Sequence, residues 1–546
     1  MGGGVLLWCA LPPLELWPLA WVAPVLWVLL IRRQELPGRH PYRAVWLAGV
    51  CFWLAAFHWL RFPHWATALC WVPFAMLLGL HWVLFIGLAR AAVHRLRIPV
   101  VIAAPVVLVG VDFLFQAVAK GSILASLGHT QYRCTALIQL SDLVGVYGIS
   151  LVVMFAAACL ARALPWDGAQ PALWPLGAAA AVLVAGVTYG QMRLAPAPVP
   201  GGAATRIALI QDCIDVASKA DETQHEAIRR RHLALSRRAL ETYGALDLIV
   251  WPETMYCAGL DTRDPWPSPA QIGAPGAAAL VASVDEESRR GLAAVAAELR
   301  TPVLLGAIRH HRTPGRERRY NSAVLLSSSG DLLACYDKNS LVVFGEFIPL
   351  ADRFPWLNRL VSVSLGRTPG TAPLAFDAGG LSIAPNICYE IVSPEGVRRQ
   401  LTTLARQGRD PAVLINLSNE NWFRGSSELE MGLAAGVFRA VENRKPVLIA
   451  ANAGVSAFID ANGRIRAQSL RCAPDILLAE VRPDARRSGY LRHGNWLAWS
   501  CLAGCLGIAL AGGAQGPADG SADWWSAWRR RGPRGQRDVR SSTALT

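Results

Sequence analysis

Three apolar runs end in side chains able to do covalent chemistry. "LSIAPNI" runs into Cys388, followed by Tyr389 and Glu390; "DLIVWPE" ends on Glu253; and "GDLLACY" is followed closely by Lys338, with Glu346 further on. A free thiol has a pKa of about 8.5, so it reacts well at neutral pH only beside a base or a cation. Glu253 suits the proton acceptor. Lys338 suits a cation that favours the thiolate and then holds an oxyanion, together with the backbone N–H after Cys388. Glu346 would orient the lysine. A Cys, a Lys and a Glu at neighbouring strand ends make an acyl-transfer site. Taken singly each has a plainer reading, since an acid at a strand end is usually solvated and a cysteine often fills a core. The chemistry requires a fold that brings the three ends together.

The segment that must do so is about 203–485. Short β-rich runs ("TRIALIQ", "DLIVWPE", "TPVLLGA", "SAVLLSS", "LSIAPNI", "AVLINLS", "PVLIAAN") alternate there with helical patterns. One helix, "DETQHEAIRRRHLALSRRAL", carries acids in its first turn and bases further on, in keeping with the helix dipole. Strands of four to seven residues alternating with helices predict a layered α/β domain. "LAPAPVPGGAA" precedes it as a linker, and "GYLRHGNW" leads out of it.

The rest of the chain is of another kind. Of 546 residues, 53% are hydrophobic and 17% charged, against about 25% charged in a soluble domain, and there are 21 Trp. Apolar stretches fall at about 16–31, 45–61, 66–89, 98–118, 143–164, 171–191 and 495–512, with a shorter one at 4–12. The expectation is eight helices in a membrane: 1–194 as a helical domain, 203–485 outside, 495–512 as the last span and 516–546 as a basic tail. Arg32, Arg33, Arg39 and Arg43 follow the second stretch, Arg90, Arg95 and Arg97 the fourth, and "WRRRGPRGQRDVR" the last. If all eight cross, these clusters share one side, which puts both termini in the cytoplasm and the α/β segment in the periplasm. The net charge of +14 is thereby assigned to topology and not to nucleic acid. Twelve cysteines show no CxxC pair or metal-ligand spacing, and no cofactor or metal motif appears. His58, His64 and His81, beside tryptophans, are read as packing or interfacial residues.

"WPET", "YDKNSLVVFGEFIPL" and "NICYE", in this order, resemble the Glu–Lys–Cys signature of the nitrilase (carbon–nitrogen hydrolase) superfamily. "NLSNENWF" and "RAVENRKPVLIAANAGVSAFID" look like its later segments, and "PPLELWPLAWVAP" and "QLSDLVGVYGISL" look like the membrane part of its apolipoprotein N-acyltransferase branch. The resemblance implies an α-β-β-α sandwich with Glu253 as base, Lys338 as oxyanion-stabilising lysine and Cys388 as nucleophile. Glu346, Tyr389 and Glu390 would be supporting residues. It implies ping-pong transfer of an acyl chain from a phospholipid, through a thioester, to the N-terminal amine of an S-diacylglyceryl-cysteine lipoprotein. The enzyme would act as a monomer in the bacterial inner membrane, without cofactor. A lid is expected in "MYCAGLDTRDPWPSPAQIGAP", after Glu253. Three places depart from the family pattern: Glu430 and Met431 where a Gln-His element is usual, Val343 for a proline, and Asp112 without the arginine expected nearby. The alternatives are a membrane-tethered amidase of the same triad and a non-catalytic lipid-binding or transport scaffold.

Overall fold

The computed structural model describes residues 1–514 except 120–121, 196–202, 269–270, 273–277, 344, 349–352, 355 and 357–365; the expected basic tail lies outside the described residues. The apolar stretches form α1 (Gly2–Ala10), α2 (Leu19–Arg32), α3 (Pro41–Ala56), α4 (Trp65–Arg90), α5 (Val100–Val118), α6 (Ser141–Ala163) and α7 (Trp174–Leu194). Inside this bundle His81 Nε2 of α4 meets Asp112 Oδ1 of α5 at 2.6 Å, so the acid singled out in the sequence is paired with a histidine 31 positions away. The arginines after α2 and α4 collect at one end of the bundle. Arg32 Nη1 donates to Ala161 O and Leu164 O at the end of α6, and Arg90 to Ile31 O (3.3 Å) and Gln34 O (2.9 Å) at the end of α2. Cations thus satisfy the helix-terminal carbonyls that lack intrahelical partners.

The following segment builds strands β1 (Thr205–Gln211), β2 (Leu248–Val250), β3 (Tyr256–Arg263), β4 (Val303–Thr313), β5 (Arg316–Leu326) and β6 (Leu332–Asp337). After these come β7 (Phe376–Ala378), β8 (Leu381–Ile387), β9 (Val413–Asn419), β10 (Val447–Asn452), β11 (Ala457–Ile459), β12 (Ile465–Gln468) and β13 (Asp475–Val481). All seven runs read as strands are strands. One sheet has the order β13-β1-β2-β4-β5-β6, with β3 also on β4; the other runs β12-β11-β10-β9-β8-β7. The central strands are apolar on both faces ("LIV", "VLIN", "VLIAA"), as buried parallel strands must be. The two sheets share one core, in which Leu209, Val250 and Leu304 join Ile383, Ile415 and Leu448. Helices α8 (His225–Tyr243), α9 (Glu286–Leu299), α10 (Pro394–Arg406) and α11 (Glu428–Asn443) complete the layers. Asp285 and Ser393 cap α9 and α10, accepting from Ser288 N (2.7 Å) and Gly396 N (3.0 Å).

The chain then returns as α12 (Trp496–Ala514), the eighth apolar helix. Five of the eight (α4 with its extension, α5, α6, α7 and α12) are long and apolar enough to cross a membrane; α2 is apolar but shorter, and α1 has only nine residues. At about 1.5 Å per residue, nine residues fall well short of a 30 Å hydrocarbon core. The eight apolar helices expected from the sequence are all present among the described residues.

Helix α11 joins the two halves. Its sequence, "ELEMGLAAGVFRAVEN", is small or apolar nearly all round, and it is buried nearly all round, in one core with α5 and α6. At its end the buried Arg444 donates to Asp142 Oδ2 of α6 (Nε 2.9 Å), an oxygen that also pairs with Arg193 of α7 at 2.7 Å. Gly145 interrupts α6 with φ 66°, and the freed N–H of Val146 donates to Glu442 Oε1 at 2.9 Å. Arg439, paired with Glu442, donates to Val392 O (3.2 Å), at the end of the short helix that begins with Cys388. Buried polar atoms of the membrane helices are therefore satisfied by the α/β domain, which fixes how the domain sits.

Candidate active site

Each reactive side chain stands where its strand stops. Pro252 ends the strand after Val250 and delivers Glu253. The loop lies so close over β4 that a Cβ on Gly306 would come within 2.5 Å of Pro252 O and 2.7 Å of Glu253 Cα. Gly306→Ala is therefore expected to displace Glu253 and cost at least tenfold in acyl loading, measured as the rate of adduct formation on Cys388. A native rate would show that the loop shifts without moving the carboxylate. Lys338 follows β6, its backbone N–H donating to Asn321 O across the strand pair at 2.8 Å. Cys388 follows β8 with φ 54°, left-handed backbone that turns the chain abruptly into the 3-10 helix Cys388–Val392. Strained φ at a reactive residue is a common feature of sites held by a surrounding scaffold. Glu253 and Lys338 come from one sheet and Cys388 from the other, so the site lies at their shared end.

Lys338 is 1% exposed and sits between two carboxylates, with Nζ 3.0 Å from Glu346 Oε2 and 3.5 Å from Glu253 Oε1. Asn321 holds those carboxylates in place. Its Nδ2 donates to Glu253 Oε1 (2.7 Å) and Glu346 Oε1 (3.1 Å), while Asn419 N donates to Glu253 Oε2 (2.9 Å) and Val342 N to Glu346 Oε2 (2.9 Å). The sequence reading missed Asn321. The only available signal was one polar residue at the edge of the run "SAVLLSS", and nothing local tells it from a solvated strand end. Glu390 is not at the reacting end. Its carboxylate accepts from Tyr336 Oη (2.9 Å), Asn339 N (2.7 Å), Ser340 N (3.0 Å) and Ile387 N (2.9 Å), tying the lysine loop to the cysteine turn. Tyr389 is half-buried against the core that includes the membrane helices.

Burial pulls the Lys338 ammonium down, but Glu253, Glu346 and Cys388 together outweigh it and hold the lysine above its ordinary value. Burial also works against Glu346, yet Lys338 and the Val342 N–H bring it below the usual carboxylate range. Burial and then the Glu253 carboxylate push the Cys388 thiol well above its ordinary value, against the pull of Lys338. The surroundings of Cys388 therefore favour the protonated thiol. Lys338 by itself favours the thiolate, but burial and Glu253 weigh against it. The Tyr389 N–H, in the first turn of the short helix, has no intrahelical partner.

One sequence expectation changes here. Tyr256–Arg263, in the stretch taken as a lid, is a strand paired with β4, with Tyr256 and Leu260 in the core; 269–270 and 273–275 lie outside the described residues. Around Glu430, where the Gln-His element is missing, the chain places carboxylates. Burial pushes Glu420 up to about 8 and Glu428 well above its ordinary value, and Glu430 pairs with Arg471 at 2.9 Å. Among the described residues no group of histidine, cysteine or acidic side chains is arranged to hold a metal ion.

Residues 3–159 match the family model of the apolipoprotein N-acyltransferase N-terminal domain, and residues 206–489 match that of carbon–nitrogen hydrolases. The chain is 32% identical to the apolipoprotein N-acyltransferase of Geobacter metallireducens, over 93% of each chain. It belongs to the apolipoprotein N-acyltransferase family. The apolipoprotein N-acyltransferase of Rhodopirellula baltica is 29% identical over 92% of this chain and 94% of its own. An amidase from Nesterenkonia sp. superposes with a TM-score of 0.36 at 21% identity, covering 55% of this chain and 98% of its own. The two models divide this apolipoprotein N-acyltransferase family member where the structure does: the first spans α1 through most of α6, and the second begins with β1 and ends before α12.

Proposed function

We infer that this chain transfers an acyl chain from a phospholipid to the α-amine of an S-diacylglyceryl-cysteine at a lipoprotein N-terminus, with Cys388 as nucleophile, Glu253 as base and Lys338 as oxyanion holder. The observation that carries the reading is the clamp of Lys338 by Glu253 and Glu346 at the strand ends where Cys388 also lies, in a domain packed onto apolar helices. In the first half-reaction Glu253 removes the thiol proton as sulfur attacks the ester carbonyl. Negative charge on the carbonyl oxygen is met by Lys338 and the Tyr389 N–H. The C–O bond breaks, and the proton passes from Glu253 to the leaving alkoxide, giving thioester and lysophospholipid. In the second, the acceptor amine attacks the thioester, Glu253 takes its proton, and the C–S bond breaks to give amide and, with that proton, the free thiol. A thioester yields to an amine more readily than to water, which suits transfer over hydrolysis.

The arginine-rich helix ends favour a cytoplasmic face, in keeping with the excess of Lys and Arg there. The α/β domain joins at Leu194 and Trp496, on helix ends opposite those arginines, which favours a periplasmic catalytic domain in a bacterial inner membrane. The test is peptide mass spectrometry on the full chain given phospholipid without acceptor, then with a diacylglyceryl-cysteine lipopeptide. A fatty-acyl adduct on Cys388, labile to hydroxylamine and discharged by the lipopeptide, is expected. A folded protein that forms no adduct, or whose adduct only water discharges, overturns the reading.

A further inference from the structure

Two thiols that the acyl-transfer chemistry leaves unused lie against each other at the edge of the α/β domain. Cys213 follows β1 and Cys472 precedes β13, and these strands pair antiparallel with Gln211 opposite Asp475. Carried on from 211 to 213 and from 475 to 473, that register sets Cys213 across from the neighbour of Cys472. The side chains agree with it. Cys213 Sγ donates to Cys472 O at 3.0 Å, and Gln211 Nε2 spans the same gap to Leu470 O (2.6 Å) and Ala473 O (2.8 Å). Residues facing each other in an antiparallel pair have Cα atoms about 4.5–5.5 Å apart, within the roughly 4.4–6.8 Å that a disulfide bridges.

Both thiols are free, Cys472 exposed and Cys213 half-buried, so an oxidant can reach them. The other cysteines of the domain are placed differently: Cys335 is buried in the core, Cys388 is the nucleophile, and Cys257 sits in a small cluster with Ile214 and Met255. Both residues of the pair hold left-handed backbone, φ 65° at Cys213 and φ 52° at Cys472. So does Ala453 (φ 54°), whose carbonyl accepts from Cys472 Sγ at 3.3 Å. Non-glycine residues keep such φ values only where the surroundings hold them. The next residue is tied to the active site. Ile214 N donates to Asn452 Oδ1 (2.8 Å), Asn452 Nδ2 to Asn419 Oδ1 (3.0 Å), and Asn419 N to Glu253 Oε2 (2.9 Å).

We propose that Cys213 and Cys472 are a disulfide-forming pair, a redox modification site that pins the ends of β1 and β13 beside the polar chain leading to Glu253. The oxidant is a reactive disulfide. Cys472 goes first, being exposed and having Arg471 beside it to oppose the rise that burial gives its thiol. Its thiolate attacks one sulfur of the oxidant and expels a thiolate; the Cys213 thiolate then attacks the Cys472 sulfur of the mixed disulfide and expels the second. The pair gives up two protons and two electrons, and the oxidant leaves as two thiols. An α/β domain in the periplasm, as inferred above, meets such an oxidant. The bond closes a loop over most of the domain, where a cross-link restricts the unfolded chain most. The proposal goes beyond the acyl-transfer reading and does not depend on it.

The experiment takes the full chain in detergent, reduced with dithiothreitol, desalted and then given glutathione disulfide. Non-reducing peptide mapping reads the cysteines, and calorimetry reads the unfolding temperature. One link, Cys213 to Cys472, is expected; it disappears with dithiothreitol and is missing from Cys213→Ser and from Cys472→Ser. The linked form is expected to unfold about 5 °C above the reduced form, a difference that neither serine variant shows. Cys388→Ala is expected to keep both the link and the shift, which separates the pair from the nucleophile. Two thiols that remain alkylatable, or that end as glutathione adducts, overturn the proposal, as does a link from either of them to Cys257. A link that leaves the unfolding temperature unchanged overturns the bracing role. Because the bond is closed in vitro, its failure counts against the pair alone and leaves the acyl-transfer reading to the adduct on Cys388.

Discussion

Lys338→Met is expected to slow thioester formation on Cys388 about 10³-fold, the upper range for removing one oxyanion donor. The native ammonium is 1% exposed and lies within 3.5 Å of two carboxylates, so its loss does more than remove a donor. Glu253 and Glu346 would be left sharing Asn321 with no cation between them. Removing one partner of a buried ion pair destabilises by about 3–5 kcal/mol. One of the two carboxylates would take up a proton, and a protonated Glu253 is no base. Single-turnover loading and thermal unfolding check both halves. Lys338→Arg keeps the charge but not the shape of the slot, and is expected to recover stability more than rate. Loading by Lys338→Met within tenfold of native would remove the lysine from the mechanism.

Glu253→Gln is expected to lower loading by 10² to 10⁴, the range for losing a positioned general base. Glutamine keeps the contact with Asn419 N but cannot accept the thiol proton. Because burial and Glu253 both hold the Cys388 thiol above its ordinary value, removing the carboxylate lets that value fall, while burial keeps it raised. The sign of the pH effect follows. In the variant the reactive species is the small thiolate fraction, so the rate should climb about tenfold per pH unit between pH 6 and 8 and narrow the gap to native. A deficit of constant size across that range would make Glu253 a structural prop for Lys338 and not the base.

Much of this was legible in the sequence because the signals were local. Strand runs ending in Glu253, Lys338 and Cys388 need only period, polarity and a breaker such as Pro252 to be read. The arginine clusters after α2 and α4 likewise announce their helix ends. Signals that depend on distant partners were invisible or misread. Asn321 looked like an ordinary strand residue until the β5–β6 pairing set it opposite Lys338. Asp112 looked isolated until α4 brought His81 to it. Tyr256–Arg263 has the glycine and the aromatic residue of a loop, yet β4 has a free edge for it and recruits it as a strand.

The sequence by itself determined the class of chemistry, the order of the reactive residues and the division into apolar helices and an α/β domain. These follow from residue type and short-range pattern, which do not need the chain to be folded. Only the tertiary structure decided the setting of those residues: a lysine held by two carboxylates, a thiol pushed up by burial, and Glu390 serving as a tie between two loops. Ionisation depends on burial and on charges brought within a few ångströms from elsewhere in the chain, and no local pattern encodes either.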